Sequence, residues 1–141
     1  MKTTDYSGTP LVIKLGIKAG FKITLVNPPD YYFELFDDFP KEVNFLKDRK
    51  SKKFFIHYFT KQASDLENDI ISLQNEIEPN GMIWISWPKK ASKVVTDVTE
   101  DVIRDLALSN GLVDIKVCSV DDIWSGLKLV IPVKDRKVDT K

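Results

Sequence analysis

The sequence predicts a three-layer α/β domain with a mostly parallel sheet and a closing antiparallel hairpin. Three observations carry this prediction. Strand-like and helix-like stretches alternate along the chain, and two of the helix-like stretches hold apolar residues at spacings of three and four. The last two apolar runs are separated only by a short turn at Asp121-Asp122. At 141 residues, 43% hydrophobic and 30% charged, the chain fits one domain with one core. Residues 1–8 and 134–141 read as loose polar tails.

Taken in order, "YSGTPLVIKLGIKAG" is a turn followed by a short amphipathic segment punctuated by Gly16 and Gly20. In "FKITLVNPP", Phe21, Ile23 and Leu25 alternate with Lys22 and Thr24, and Pro28-Pro29 ends the strand. "DYYFELFDDFPKEVNFLKDRKSKK" is mixed, with a helix expected on either side of Pro40. The aromatic run from Phe54 to Thr60 reads as a buried strand. From Lys61 to Glu78, Ala63, Leu66, Ile70, Leu73 and Ile77 form one helical stripe. Thr60 or Ser64 is its expected cap, Ser64 and Glu67 have the form of a capping box, and Pro79-Asn80-Gly81 is its terminator. "MIWISW" is a strand. A second helix follows with Asp97 as N-cap and Val102, Ile103, Leu106 and Ala107 inward, stopped by Asn110-Gly111. "LVDIKVCSV" and "IWSGLKLVIPV" make the hairpin, and the one antiparallel strand is expected at the sheet edge.

Parallel crossovers bring strand exits to a common edge, where open α/β sheets bind ligands. That edge is expected to hold Asn27 to Asp30, Thr60-Lys61, Trp87 to Lys93 and Asp121 to Trp124. Within it, Lys89, Lys90 and Lys93, with Ser92 and the Trp87 indole, have the chemistry to hold a phosphate or carboxylate. The alternative is that these lysines are solvated, or pair with Asp97, Glu100, Asp121 or Asp122. Trp124, beside Ser125 and Gly126, is placed to stack on a ring or a protein partner, or else to sit in the core with its N–H on a carbonyl.

Other chemistries lack their residues. His57 is the one histidine, lies among aromatics, and reads as a core residue rather than part of a catalytic triad. The single Cys118 reads as a buried thiol, allows no internal disulfide, and suits a reducing cytoplasm. There is no HExxH, CxxC or histidine pair, so no metal is expected, there is no GxGxxG or GxxxxGK(S/T), so no cofactor is expected, and Asp37-Asp38 and Asp121-Asp122 read as turns. Twenty-one basic residues balance twenty-one acidic ones, so nucleic acid and membrane surfaces are not expected partners. The run Arg49, Lys50, Lys52, Lys53 reads as a polar loop. No stretch has the form of a signal peptide or membrane span, and the expected location is cytoplasmic.

Two resemblances follow. "SGTPLVIKLGIKAGFKITLVNPP" and "WISWPKKASKVVTDVTEDVIRDLALSNGLVDIKVCSVDDIWSGLKLV" resemble a family of small bacterial proteins known only as a domain of unknown function. That resemblance implies a folded domain and no particular chemistry. "LGIKAGFKITLVNPP" and the closing hairpin are also similar to the entry strand and last two strands of Rossmann-type methyltransferases, which implies a Rossmann-like sheet. The departure is the turn Asn27-Pro28-Pro29-Asp30, where those enzymes carry glycines that let backbone and ligand approach.

From these readings two functions are expected. One is a non-catalytic binding or regulatory domain for an anionic small molecule or protein partner at Trp87, Lys89, Lys90, Ser92, Lys93, Asp121, Asp122 and Trp124. The other is an enzyme on a phosphorylated or carboxylated metabolite, with Lys89 or Lys90 as electrophile and Asp121 or Asp122 as base. A homodimer through Tyr31, Tyr32, Phe33 and Phe36 stands as a third possibility.

Overall fold

The computed structural model describes residues 9–48 and 50–136; the expected loose tails fall largely outside them. A short helix α1 (Leu11–Leu15) leads into strand β1 (Lys22–Val26). A single 3-10 turn (Tyr32–Leu35) and a two-residue strand β2 (Asn44–Phe45) follow, in place of the two helices expected around Pro40. Then come β3 (Lys53–Phe59), α2 (Ala63–Asn75), β4 (Ile77–Pro88), α3 (Glu100–Ser109), β5 (Val113–Ser119) and β6 (Trp124–Val130).

The six strands form one sheet in the order β2-β1-β3-β4-β6-β5. β2, β1, β3 and β4 are mutually parallel, and β6 runs antiparallel to both of its neighbours, β4 and β5. The antiparallel strand therefore lies inside the sheet rather than at its edge. It carries Leu127 and Leu129, both fully buried, so its composition was that of an interior strand. The edge strand is β5, with Ile115 and Val117 about half exposed.

Side-chain alternation splits the core in two. Ile56, Tyr58, Ile83, Ile85, Leu127 and Leu129 pack under Leu66, Ile70, Leu73 of α2 and Ile103, Ala107 of α3. On the opposite face Ile23, Phe55, Phe59 and Trp84 pack under Leu11 and Leu15 of α1 and under Tyr32, Leu35 and Phe36. Helices or turns thus cover both faces, which is the three-layer arrangement.

Pro79-Asn80-Gly81 does not end α2. The helix stops at Asn75, and all three residues lie inside β4, where the register against β3 jumps from Lys53↔Ile77 to Phe55↔Met82. This bulge brings the backbone so close that a Cβ on Gly81 would sit 2.9 Å from the Lys53 carbonyl oxygen. Beneath it, Lys53 is fully buried and its ammonium meets Glu76 at 3.0 Å and the Asp48 carbonyl at 2.6 Å. The basic run read as a polar loop thus ends in a buried ion pair.

The caps also differ. Thr99 caps α3 by accepting the Val102 N–H at 3.2 Å. Asp97 instead reaches back across 34 residues to accept the Ala63 N–H at 2.8 Å, at the start of α2. The N-cap of α2 is Gln62, with no side-chain capping bond of its own. Asp97 therefore ties one helix entry to the other.

Candidate functional site

β1 hands the chain to β2 on one side and β3 returns on the other, so strand order reverses between β1 and β3. At the carboxyl ends of these two strands lies a cleft of about 570 Å³. Its walls come from four segments: the turn after β1, the exit of β3 into α2, Val94, and the turn into β6. A cleft at this reversal is where open α/β sheets hold ligands.

The turn after β1 is built from Asn27, whose φ of 54° is left-handed, and the two prolines. It closes with the Tyr32 N–H on the Pro29 carbonyl at 2.9 Å. Asparagine tolerates that backbone, but the prolines present no N–H, so the donor-rich cradle of a glycine loop is absent. At the exit of β3, the Thr60 hydroxyl accepts the Gln62 N–H at 3.1 Å and donates to the Gln62 carbonyl at 3.0 Å. Lys61 and Asp65 line the cleft beyond it. The Lys61 carbonyl accepts the Thr96 hydroxyl at 2.7 Å, which holds the segment carrying Val94 against the cleft mouth.

The fourth wall is the β5–β6 turn. Asp121 is buried, and one of its oxygens accepts the N–H groups of Ile123 at 2.8 Å and Trp124 at 2.7 Å. The Tyr31 hydroxyl hydrogen-bonds the same carboxylate; its pKa is raised, first by burial and then by the bond to Asp121 and that residue's charge. The Trp124 indole N–H donates to the Tyr31 oxygen at 3.2 Å, so Tyr31, Asp121 and Trp124 form one polar corner. Trp124 is buried yet lines the cleft, and its ring meets Phe59 edge-on at 5.0 Å. Beside it, Gly126 is no flexible spacer: a Cβ there would sit 3.1 Å from the Trp84 ring.

Beneath Phe59 the rings continue inward. His57 stacks on Phe59 at 4.2 Å; its Nδ1 meets the Tyr32 hydroxyl at 3.0 Å and its Nε2 the Ser86 hydroxyl at 2.8 Å. All three residues are buried. Burial pushes the His57 pKa down to about 3, so it is neutral and serves as core, as its sequence setting suggested. Cys118 is buried likewise.

Of the eight ligand-binding residues expected from sequence, Trp124 lines the cleft; Asn27, Pro29, Asp30, Thr60, Lys61 and Ile123 from the expected strand-exit edge line it too. Trp87 is buried in the core under α2 and α3. Lys89 donates its ammonium to the Ser119 hydroxyl at 2.7 Å, and its N–H to the Ile123 carbonyl at 2.7 Å. Ser92 folds back on its own loop, donating to the Lys89 carbonyl at 2.7 Å and accepting the Val94 N–H at 3.2 Å. Lys90 and Lys93 are exposed, Lys93 in the left-handed conformation at φ 62°. Asp122 is exposed while its neighbour Asp121 points inward. Lys89 thus meets the turn that carries Asp121, while Lys90, Lys93 and Asp122 are exposed. Tyr31, Phe59, Gln62, Asp65 and Val94 line the cleft without having been expected to. Tyr31, Phe59, Gln62 and Val94 each adjoin an expected residue, whereas Asp65 required the placement of the first turn of α2.

Residues 47–133 match the family model described as "Protein of unknown function (DUF3052)", and the chain belongs to that family. A search of curated proteins finds no match. Several solved structures with similar architecture are methyltransferases. Magnesium protoporphyrin IX methyltransferase from Synechocystis PCC 6803, solved with bound SAM, is 10% identical, with a TM-score of 0.58 over 86% of this chain and 74% of that one. The ribosomal protein L11 methylase from Lactobacillus delbrueckii subsp. bulgaricus is 10% identical, with a TM-score of 0.52 over 85% and 74%. N-methyltransferase NodS from Bradyrhizobium japonicum WM9 is 10% identical, with a TM-score of 0.52 over 79% and 85%. The chain therefore has a Rossmann-like, methyltransferase-like fold. Identity this low carries the architecture and no activity. Among the described residues no helix is long and apolar enough to cross a membrane.

Proposed function

We propose that this member of the DUF3052 family is a small-molecule-binding domain whose ligand occupies the cleft between the turn after β1 and the start of α2. The observation that carries the reading is the position of that cleft, at the strand-order reversal and at the carboxyl ends of the parallel strands. Its wall chemistry narrows the ligand. Trp124, Ile123, Val94 and Pro29 offer apolar surface, while Asp30 and Asp65 place two carboxylates against the one ammonium of Lys61. An anion entering here meets more negative than positive charge. The geometry favours a neutral, zwitterionic or cationic molecule with a flat ring over the anion suggested by the lysine loop.

A binding role without turnover is favoured because the polar groups at the corner are already committed. Asp121 is spent on two backbone N–H groups and on Tyr31, and Tyr31 on Asp121 and Trp124. No free base faces the cleft from this side. A second reading is methyl transfer, which the architecture of the similar enzymes favours. S-adenosylmethionine combines an adenine ring with a sulfonium and an amino-acid end, so it has the proposed chemistry and is the first ligand to try.

The test is a thermal-shift and calorimetric screen of S-adenosylmethionine, S-adenosylhomocysteine, adenosine, nucleotides, sugar phosphates and carboxylates. It is run on the wild type, on Lys61→Ala/Asp65→Ala, and on Lys89→Ala/Lys90→Ala. A ligand at about a hundred times its dissociation constant adds ~2.7 kcal/mol to stability. The cleft reading expects a stabilising adenosyl-type compound whose effect is lost in Lys61→Ala/Asp65→Ala and kept in Lys89→Ala/Lys90→Ala. A phosphate or carboxylate hit with the opposite dependence sinks the cleft reading and returns the site to the lysine loop. S-adenosylhomocysteine released from bound S-adenosylmethionine in the presence of an acceptor would replace the binding reading with the enzymatic one.

A further inference from the structure

Residues 33–47 build a surface that the cleft does not use. Phe33 and Phe45 are 52% and 46% exposed. With Phe39 they close a triangle of ring contacts at 5.4, 5.6 and 6.0 Å. Phe39 rests in turn on the buried Phe36 at 5.0 Å, so the triangle is anchored to the core while open to solvent. Three aromatic rings grouped in this way exceed the scattered apolar residues of an ordinary surface.

The triangle adjoins an open sheet edge. β2 ends the sheet on this side. Asn44 and Leu46 donate their N–H groups to the carbonyls of Phe21 and Ile23, at 2.9 and 2.8 Å. Strand alternation then turns the N–H and C=O of Phe45, between them, away from β1 and into solvent. A short edge with free backbone groups next to an apolar platform is suited to accept an extended peptide as an added strand.

Charge selects the occupant. Glu34, Asp37, Asp38 and Glu42 are all exposed and lie within this stretch, against Lys41 and Lys47, in a chain whose overall charge balances. A second copy docked here would set one acidic rim against another, which disfavours the homodimer expected from "DYYFELF". That homodimer also keeps only Phe33 of its four residues on this face: Tyr32 and Phe36 are buried, and Tyr31 lines the cleft. We infer that this face docks an extended, basic segment of another protein. The segment pairs with the outer edge of β2, seats an apolar side chain on the Phe33–Phe39–Phe45 platform, and sets Lys or Arg against the carboxylates around it.

The experiment uses two short fluorescent peptides as probes, one alternating Arg with Leu and one alternating Glu with Leu, and reads both anisotropy and amide chemical shifts of the isotope-labelled protein. The Arg-Leu peptide is expected to bind, to shift the amides of residues 33–47, and to weaken about tenfold in Glu34→Lys/Asp38→Lys and in Phe45→Ser. Both variants alter exposed side chains and are expected to keep the wild-type fold. Equal binding of the Glu-Leu peptide, unchanged affinity in both variants, or shifts confined to other residues overturns the inference. So does concentration-dependent dimerisation of the free protein that shifts these same amides, since a second copy would then be the occupant.

Discussion

Acidification tests the buried network around His57 directly. The imidazole is fully buried, its pKa is pushed from 6.5 down to about 3 by burial, and both ring nitrogens are bonded, to Tyr32 and to Ser86. In the unfolded chain the same side chain titrates near its ordinary value. Between the two pKa values the unfolded state holds a proton that the folded state lacks, so stability is complete above about pH 6.5 and falls as the pH drops towards about 3. Each unit is worth about 1.36 kcal/mol, so the whole window amounts to about 5 kcal/mol, of which about 2 kcal/mol is lost by about pH 5. Carboxylates, with ordinary values near 4, add little above about pH 5. The assay is urea unfolding at about pH 7 and about pH 5 for wild type and for His57→Gln, whose amide keeps a donor and an acceptor but does not titrate. The wild type is expected to lose about 2 kcal/mol and the variant far less. The chain has one histidine, so a single imidazole resonance reports its protonation in the folded state. A midpoint near 6.5 in that resonance, or an equal pH slope in His57→Gln, would refute the reasoning.

Three further outcomes follow from the packing. Lys53→Met strands the buried Glu76 carboxylate and is expected to cost about 3–5 kcal/mol in urea unfolding, while Lys53→Met/Glu76→Leu recovers most of that loss; a double variant no better than the single would contradict the ion-pair account. Gly126→Ala pushes a methyl against the Trp84 ring, which its own N–H holds on the Leu15 carbonyl at 2.9 Å. Overpacking of about 1–3 kcal/mol is expected, and a neutral change would mean the ring moves freely. Asp97→Ala removes the acceptor for the Ala63 N–H, with an expected cost of about 1 kcal/mol. Hydrogen exchange should speed up in the first turn of α2, and a change confined to α3 would show that Asp97 caps its own helix after all.

How much was legible depended on whether the signal was local. The stripe Leu66, Ile70 and Leu73 showed α2 because a helix buries one face at a fixed period. β2 gave no signal, since two exposed residues at a sheet edge need no apolar pattern. Pro79-Asn80-Gly81 misled because the same residues serve a helix stop and a bulge, and only the approach of Lys53 separates the two. Asp97 was read as a cap for the nearest helix, whereas its partner lies 34 residues away. The position of the cleft was accessible from topology alone, through Asn27, Asp30, Thr60, Lys61 and Trp124. The contact of Lys89 was not legible locally, because the Ser119 hydroxyl that it engages belongs to another strand.

The place of β6 also sets a schedule for synthesis. The last of the described strands fills the gap between β4 and β5 and supplies Leu127 and Leu129 to the core beneath both large helices. A nascent chain that has released everything up to Ser119 therefore carries two strand edges with nothing between them, and a half-lined hydrophobic layer. Closure must wait until β6 arrives, so the sheet between β4 and β5 is the last part of the described fold to close. Loss of β6 would leave a product recognisable to quality control by its open sheet.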